Sequence, residues 1–260
     1  MGQAVTTTSS MDDDDDDNVP RLVLMKGHPG SGKSSLALVL ARSLGYPLID
    51  KDDARDTLHA AAFGATTTTT CVSKDSTCLG RDEEERQQGD QHIDLNQISY
   101  DIMIRYVETQ LQVGLSCIVD SPLSRVEIFR RLANLACQYT AKVYVVECTT
   151  QDESVWATRV QQRALQDIGS ASSHKPRSWQ DIQDLLESYP LDKNTGHRSF
   201  QWPLSYSDHT TAGASVEFIT IDTTVPTNRT PHQLAAEILS RHPDIIIHRT
   251  PTGLTDTRVI

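Results

Sequence analysis

The sequence predicts an α/β fold, a three-layer αβα sandwich around a five-stranded parallel sheet. Short apolar runs of strand length alternate with longer segments in which apolar residues recur at helical spacing. Such alternation places parallel strands between two layers of helices. A second observation is the glycine-rich turn that joins the first apolar run directly to the first helical segment. The predicted strands are residues 21–25, 47–50, 115–119, 142–148 and 216–222.

Seven helices are predicted between and after these strands. The first is expected to end near Gly45 and Pro47, because both residues disfavour a continuing helix. Ligands of parallel sheets collect at the carboxyl ends of the strands, so the loops after the first four strands are where a site is expected. The predicted helices are residues 33–43, 53–62, 95–113, 125–139, 153–167, 179–188 and 231–241.

Three segments are predicted to lie outside the folded domain of residues 19–242. Residues 1–18 are of low complexity and contain the acidic run Asp12–Asp17, so they are expected to form a disordered tail. Residues 64–92 contain five consecutive threonines followed by an acidic, polar block, which indicates a disordered surface insertion. Residues 243–260 are expected to be a C-terminal tail.

The charge of the chain limits its partners. The formal net charge is −11, of which the run Asp12–Asp17 supplies −6, leaving −5 for the remainder. Non-specific binding to duplex nucleic acid depends on Lys and Arg neutralising phosphates. A body this acidic therefore disfavours such binding. The expected acceptor is therefore either a small molecule or the end of a nucleic acid that the protein holds locally.

The sequence indicates a cytoplasmic location. No apolar run is long enough to span a bilayer, and the first residues show neither a secretory signal nor a transit peptide. The five cysteines, an odd number, are expected to be reduced thiols. The start of the chain fits the pattern for myristoylation of Gly2, and an unmodified tail of small residues is the alternative.

The glycine-rich turn matches the P-loop pattern and lies in the right context, between a predicted strand and a predicted helix. Glycines allow successive backbone N–H groups to face phosphate oxygens, and the helix N-terminus adds partial positive charge. Lys33 is expected to contact the β and γ phosphates of ATP, and Ser34 to ligate Mg²⁺. The predicted nucleotide-binding residues are Gly27, His28, Pro29, Gly30, Ser31, Gly32, Lys33, Ser34 and Ser35.

Carboxylates follow the second strand, in the segment 50–53. One of them would face the γ-phosphate and accept the proton of an acceptor hydroxyl. Arg55 lies one helical turn further on and could hold an anionic acceptor. The alternative is that Asp50 or Asp52 only caps the next helix.

Two arginines are predicted to belong to a lid. Arg159 and Arg163 are four residues apart, so they share one face of a helix, and the flexible loop Gly169–Ser173 follows. Over a phosphate site they would neutralise charge in the transition state. The alternative is a solvated basic face.

Asp120 ends the third predicted strand. A carboxylate at this place commonly holds Mg²⁺ through water in P-loop proteins. The alternative role is the N-cap of the following helix, for which Ser121 and Ser124 are rival candidates.

The chain resembles the P-loop kinases that include the 5′-kinase domain of polynucleotide kinases and the zeta-toxin-like kinases. The similar segments are the P-loop, the pair Arg159 and Arg163, and Lys51-Asp52-Asp53-Ala54-Arg55. This resemblance, which covers roughly residues 20–240, implies that Asp52 is the general base and that Arg55 contacts the acceptor. Over a longer span, 120–125 and 174–176 look similar to plant P-loop proteins of unassigned activity.

These patterns predict a kinase that moves the γ-phosphoryl group of Mg·ATP to a hydroxyl of a small molecule or of a nucleic-acid 5′ end. The alternative is an NTP-binding switch or NTPase with water as acceptor. Asp52 and Arg55 favour the kinase, because a switch has no need of an acceptor base. The sequence does not predict the identity of the acceptor, the base preference or the oligomeric state. The chain departs from the resembling kinases in its insertion 64–92 and in lacking a partner phosphatase domain, and these departures leave the acceptor open.

Overall fold

The computed structural model describes residues 19–64, 94–166, 175–189, 213–226 and 229–247. Five strands form one sheet in the order β2-β3-β1-β4-β5, and every neighbouring pair is parallel. Helices cover both faces, so the predicted three-layer α/β fold is confirmed. The strands are β1 Arg21–Lys26, β2 Leu48–Asp50, β3 Cys117–Asp120, β4 Lys142–Thr149 and β5 Val216–Asp222.

The helices lie within two residues of their predicted ends. α2 begins earlier than predicted because an Asp50 Oδ1 accepts a hydrogen bond from the Asp52 backbone N at 2.8 Å, which caps the first turn. The helices are α1 Lys33–Leu44, α2 Lys51–Gly64, α3 Leu95–Gln112, α4 Val126–Gln138, α5 Glu153–Gln166, α6 Trp179–Ser188 and α7 Pro231–Arg241.

The central strands are apolar on both faces, as expected for strands covered by helices on each side. Because successive side chains point to opposite faces, alternate residues of β1 enter two different cores. Leu22 and Leu24 pack in the core that contains residues of α3 and α4, whereas Val23 and Met25 pack in the core of α1 and α7. These two cores fix the central strand, and with it the start of the P-loop.

The folded body extends past the predicted boundary at residue 242. A short 3₁₀ turn, Pro243–Ile245, packs on the α1 and α7 side, and the Ile245 side chain is buried in that core. The Tyr46 hydroxyl donates to the Ile245 carbonyl at 2.7 Å, and the Tyr144 hydroxyl donates to Asp244 Oδ2 at 2.6 Å. The beginning of the predicted C-terminal tail is therefore part of the domain.

Two predicted unstructured segments, 1–18 and 65–92, lie outside the described residues, as does the chain beyond residue 247. Gly64, predicted to begin the insertion, is the last residue of α2. Cys117 and Cys148 are buried free thiols, and burial raises the pKa of each to about 12. In the part of the chain that the structure describes, no helix combines the length and the apolar character needed to cross a membrane.

Candidate active site

The P-loop leaves β1 at Lys26, whose buried ammonium pairs with Glu147 on β4. Gly30 and Gly32 have φ of +80° and +84°, a left-handed conformation that costs glycine little. A Cβ on Gly30 would lie 2.7 Å from Val160 Cγ2. The loop is therefore pressed against α5 at a point where only glycine fits.

Aromatic residues support the loop from the α5 side. The Trp156 indole N–H donates to the Pro29 carbonyl at 2.9 Å, and its ring meets Trp179 edge to face at 5.1 Å between centroids. The His28 ring lies 5.6 Å from that of Trp156. Burial, with the nearby charge of Lys26, lowers the pKa of His28 to about 4, so its imidazole is neutral at pH 7.

Lys33 lies among carboxylates at the floor of the site. Its Nζ is 3.3 Å from Asp120 Oδ1, and its side chain is only 13% exposed. Burial alone would lower the pKa of Lys33, but the charges of Asp120, Asp52 and Asp50 outweigh it and raise that pKa above its usual value. Lys33 is therefore positively charged at neutral pH, as a phosphate ligand has to be.

The residues predicted to hold Mg²⁺ fit that ion. Asp120 Oδ1 is buried and, apart from the Lys33 ammonium at 3.3 Å, has no hydrogen-bond donor among the described residues, and Ser34 is exposed at the start of α1. Mg²⁺ prefers oxygen ligands and takes few from the protein when phosphates and water supply the others. The described residues contain no group of three or more acidic, His or Cys side chains that could hold a metal by themselves.

Asp120 does not cap α4. The N-cap of that helix is Arg125, which makes no side-chain capping hydrogen bond. The alternative role considered for Asp120, and for Ser121 and Ser124, is therefore wrong.

The structure divides two roles between Asp50 and Asp52. Asp50 caps α2 and lies in register with Asp120 on the adjacent strand. Burial, reinforced by the charge of Asp120, raises the pKa of Asp50 to about 6. Both residues line the cavity, and Asp52 lies with Oδ1 at 2.9 Å from Lys51 Nζ and Oδ2 at 3.2 Å from Lys175 Nζ.

A polar cluster that sequence reasoning missed lies beside Asp52. Lys51 Nζ and Arg55 Nη1 each donate to Asn96 Oδ1 at 3.3 Å. Lys51 Nζ is also 5.2 Å from the Tyr100 ring centroid, and the Arg125 guanidinium is 5.9 Å from it. No sequence signal identifies Asn96 or Tyr100, because their position depends on how α3 packs against α2.

Arg159 and Arg163, the two arginines predicted to belong to a lid, both line the cavity. Arg159 donates to Thr223 Oγ1 at 3.0 Å and to the Thr223 carbonyl at 2.6 Å, and the Thr223 hydroxyl donates to the Ser31 carbonyl at 2.5 Å. Arg163 donates to the Pro176 carbonyl at 2.6 Å. Thr223, which the sequence did not predict as a site residue, thus joins the P-loop to α5. The loop predicted at Gly169–Ser173 lies outside the described residues.

One cavity of about 770 Å³ unites these groups across the carboxyl ends of the strands. Within the P-loop, Pro29, Gly30 and residues 32–35 line it. Gly27 and Ser31 are the buried residues of the loop, and the His28 ring faces Trp156 and Tyr189. Asp52, Arg55, Arg159 and Arg163 line the same cavity, so the structure brings together the predicted donor and acceptor residues.

A family model described as an AAA domain matches residues 22–188, and the chain belongs to this family. A search of curated proteins finds no match. Among solved structures, a proposed kinase from Chloroflexus aurantiacus is 22% identical, with 85% of this chain and 98% of that chain covered and a TM-score of 0.54. This similarity shows a kinase-like P-loop fold.

Two further kinases show weaker structural similarity. The APS kinase of Mycobacterium tuberculosis, solved with AMPPNP and APS, is 15% identical, covers 85% of this chain and 96% of its own, and has a TM-score of 0.46. Shikimate kinase from Acinetobacter baumannii, in complex with shikimate, is 14% identical, with 86% and 92% covered and a TM-score of 0.42. The narrower resemblance to polynucleotide 5′-kinases, zeta-toxin-like kinases and plant P-loop proteins stays a prediction.

Proposed function

We propose that the chain is an ATP-dependent kinase that transfers the γ-phosphoryl group of Mg·ATP to a hydroxyl of a small molecule or of a nucleic-acid 5′ end. One observation carries this proposal: a single cavity holds Lys33 of the P-loop and, across from it, Asp52 together with Arg55. The charge of Asp52 contributes to the raised pKa of Lys33. A site that only binds nucleotide phosphates would not require Asp52 and Arg55 on the opposite side of the cavity.

The donor side would bind the nucleotide phosphates. P-loop N–H groups and the Lys33 ammonium face the triphosphate, while Ser34 and Asp120 would hold Mg²⁺. The ion supplies neutralising charge to the β and γ phosphates when it is bound. Arg159 and Arg163 on α5 stabilise the negative charge of the transferring group.

The acceptor side would prepare the hydroxyl. Asp52 orients the acceptor O–H and takes its proton as the oxygen attacks the γ-phosphorus. A new O–P bond forms, the bond from the γ-phosphorus to the bridging oxygen breaks, and ADP leaves with that electron pair. The proton on Asp52 is then released to solvent. Arg55 contacts the acceptor and holds it in line.

A ³¹P NMR experiment tests the reaction. The protein is mixed with Mg·ATP, with and without a pool of nucleosides, 5′-hydroxyl oligonucleotides, polyols and hydroxyl-bearing phosphomonoesters. A new phosphomonoester signal that requires one pool member supports the kinase. Inorganic phosphate released at the same rate with or without the pool would overturn it in favour of hydrolysis. Lys33→Met serves as the control for contaminating activity, because it removes the ammonium from the phosphate site.

We further propose that the protein acts in the cytoplasm.

The unmodified and the myristoylated forms of Gly2 differ by the mass of one acyl chain. Intact mass of the protein purified from a eukaryotic cell decides between them, and an unmodified N-terminus would remove the idea of lipidation.

A further inference from the structure

The cavity is far more cationic than the chain as a whole. The chain carries a formal charge of −11, yet among the described residues eight Lys or Arg side chains line the cavity against two acidic ones. A site of this sign concentrates anions. Its cationic lining residues are Lys33, Lys51, Arg55, Arg125, Arg159, Arg163, Lys175 and Arg229, and its acidic lining residues are Asp50 and Asp52.

The sheet order separates six of these eight cations into two groups, while Lys33 lies between them on the P-loop and Lys175 pairs with Asp52. β1 and the P-loop lie in the middle, β2 and β3 lie on one side, and β4 and β5 lie on the other. Arg159 and Arg163 follow β4, and Arg229 follows β5 and is already paired with Glu237. Lys51, Arg55 and Arg125 follow β2 and β3 and form the acceptor-side cluster. These three are not needed for the triphosphate that Lys33 and α5 would hold.

Two members of the acceptor-side cluster lack a carboxylate partner. Among the described residues, neither Arg55 nor Arg125 has an acidic side chain within ion-pair distance. The hydrogen bond of Arg55 goes to the neutral amide of Asn96, and Arg125 faces the Tyr100 ring. Arg55 and Lys51 donate to the same Asn96 oxygen, so two positive charges converge on one neutral acceptor. Lys51 also pairs with Asp52 Oδ1 at 2.9 Å, whereas the guanidinium charges of Arg55 and Arg125 are left for a bound anion to neutralise.

We propose that the acceptor of the kinase reaction is itself a phosphomonoester, and that Lys51, Arg55 and Arg125 bind its phosphate. This inference rests on the proposed function. Two guanidinium forks and an ammonium match the oxygens and the charge of about −2 that a phosphomonoester carries at neutral pH. The buried Tyr100 forms the wall of this subsite, and Asp52 lies where the acceptor hydroxyl would be.

Isothermal titration calorimetry tests the subsite apart from catalysis. The protein is first saturated with Mg·AMPPNP, which fills the P-loop and keeps the second ligand away from it. It is then titrated with glycerol 3-phosphate, with glycerate and with glycerol. We expect glycerol 3-phosphate to bind about tenfold tighter than glycerate, and glycerol to show no binding, since charged hydrogen bonds supply the affinity.

Variants locate the binding. Arg55→Gln and Arg125→Gln should each weaken glycerol 3-phosphate binding by about 10- to 100-fold and leave AMPPNP affinity unchanged. Arg55→Lys, which keeps the charge, should lose less. Arg105→Gln is the matched control, because Arg105 is exposed on α3, pairs with Glu108 and does not line the cavity. Thermal unfolding of each variant confirms that it is folded.

The outcomes separate the two proposals. Binding of AMPPNP together with equal affinity for glycerol 3-phosphate and glycerol would overturn the phosphomonoester subsite and leave the kinase intact. Wild-type affinity in both Arg55→Gln and Arg125→Gln would overturn it as well. Failure of the wild-type protein to bind Mg·AMPPNP would remove the proposed function, and the subsite with it.

Discussion

Lys33 Nζ lies 3.3 Å from Asp120 Oδ1, and this ion pair joins the P-loop to the end of β3. Asp120 is 2% exposed, and among the described residues its Oδ1 has no donor other than Lys33. A buried carboxylate with so few donors is costly unless positive charge compensates it. Lys33 supplies part of that compensation, and a bound Mg²⁺ would supply the rest.

Asp120→Asn should therefore weaken the binding of Mg²⁺ that supports transfer, because the amide keeps the shape of the side chain but loses its charge. We expect the Mg²⁺ concentration for half-maximal activity to rise by about 10- to 100-fold. Asp101→Asn is the control, since Asp101 pairs with Arg131 on the protein surface. An unchanged Mg²⁺ midpoint in Asp120→Asn would rule out a metal role for Asp120.

Gly30→Ala and Gly45→Ala separate backbone strain from steric clash. Both glycines have left-handed φ, +80° and +69°, so either substitution should cost about 1 kcal/mol of stability. A Cβ at Gly45 meets nothing within 4 Å, whereas one at Gly30 meets Val160 Cγ2 at 2.7 Å. Only Gly30→Ala should displace the P-loop and lower AMPPNP affinity, by about tenfold or more. Equal AMPPNP affinities in the two variants, measured by calorimetry, would contradict the tight contact between the loop and α5.

Asp50 and His28 should make opposite contributions to the pH dependence of stability. Because burial and Asp120 raise the pKa of Asp50 from 3.8 to about 6, its contribution falls as pH rises through that window. Because burial and Lys26 lower the pKa of His28 from 6.5 to about 4, its contribution rises with pH from about 4 to 6.5. The two effects oppose one another in the wild-type protein.

Single variants should reveal each contribution. Between pH 4.5 and 7.5, the unfolding free energy of Asp50→Asn relative to wild type should increase by about 2 kcal/mol, and that of His28→Gln should decrease by about as much. Urea unfolding at several pH values measures both. Curves parallel to wild type for both variants would mean that neither group has a perturbed pKa.

Much of the fold could be predicted because it depends on local patterns. The valine-rich strand β4 and the periodic helix α4 are evident from a few neighbouring residues, and the P-loop depends on residues that are contiguous in sequence. Pro243–Ile245 lie in the predicted C-terminal tail, and only their contacts with Tyr46 and Tyr144 show that they are packed.

The site was predictable only in part, for the same reason. Asp50 and Asp52 are both acidic and both precede or begin a helix, so side-chain direction alone decides which one caps it. Thr223 reaches Ser31 across 192 positions, and Asn96 reaches Arg55 across 41. Such contacts are set by the order of strands in the sheet and by the packing of α2 on α3, which no local pattern shows.

The most direct test of the kinase is a comparison of Asp52→Asn with Asp53→Asn. The two residues are adjacent, but Asp52 lines the cavity with Lys33, whereas Asp53 is exposed and lies outside that cavity. With the acceptor identified by ³¹P NMR, Asp52→Asn should lower the rate of transfer by about 10²- to 10⁴-fold and leave AMPPNP affinity within about twofold. Asp53→Asn should retain the wild-type rate. Wild-type transfer by Asp52→Asn would contradict the account, because no acceptor base would then be needed at this position.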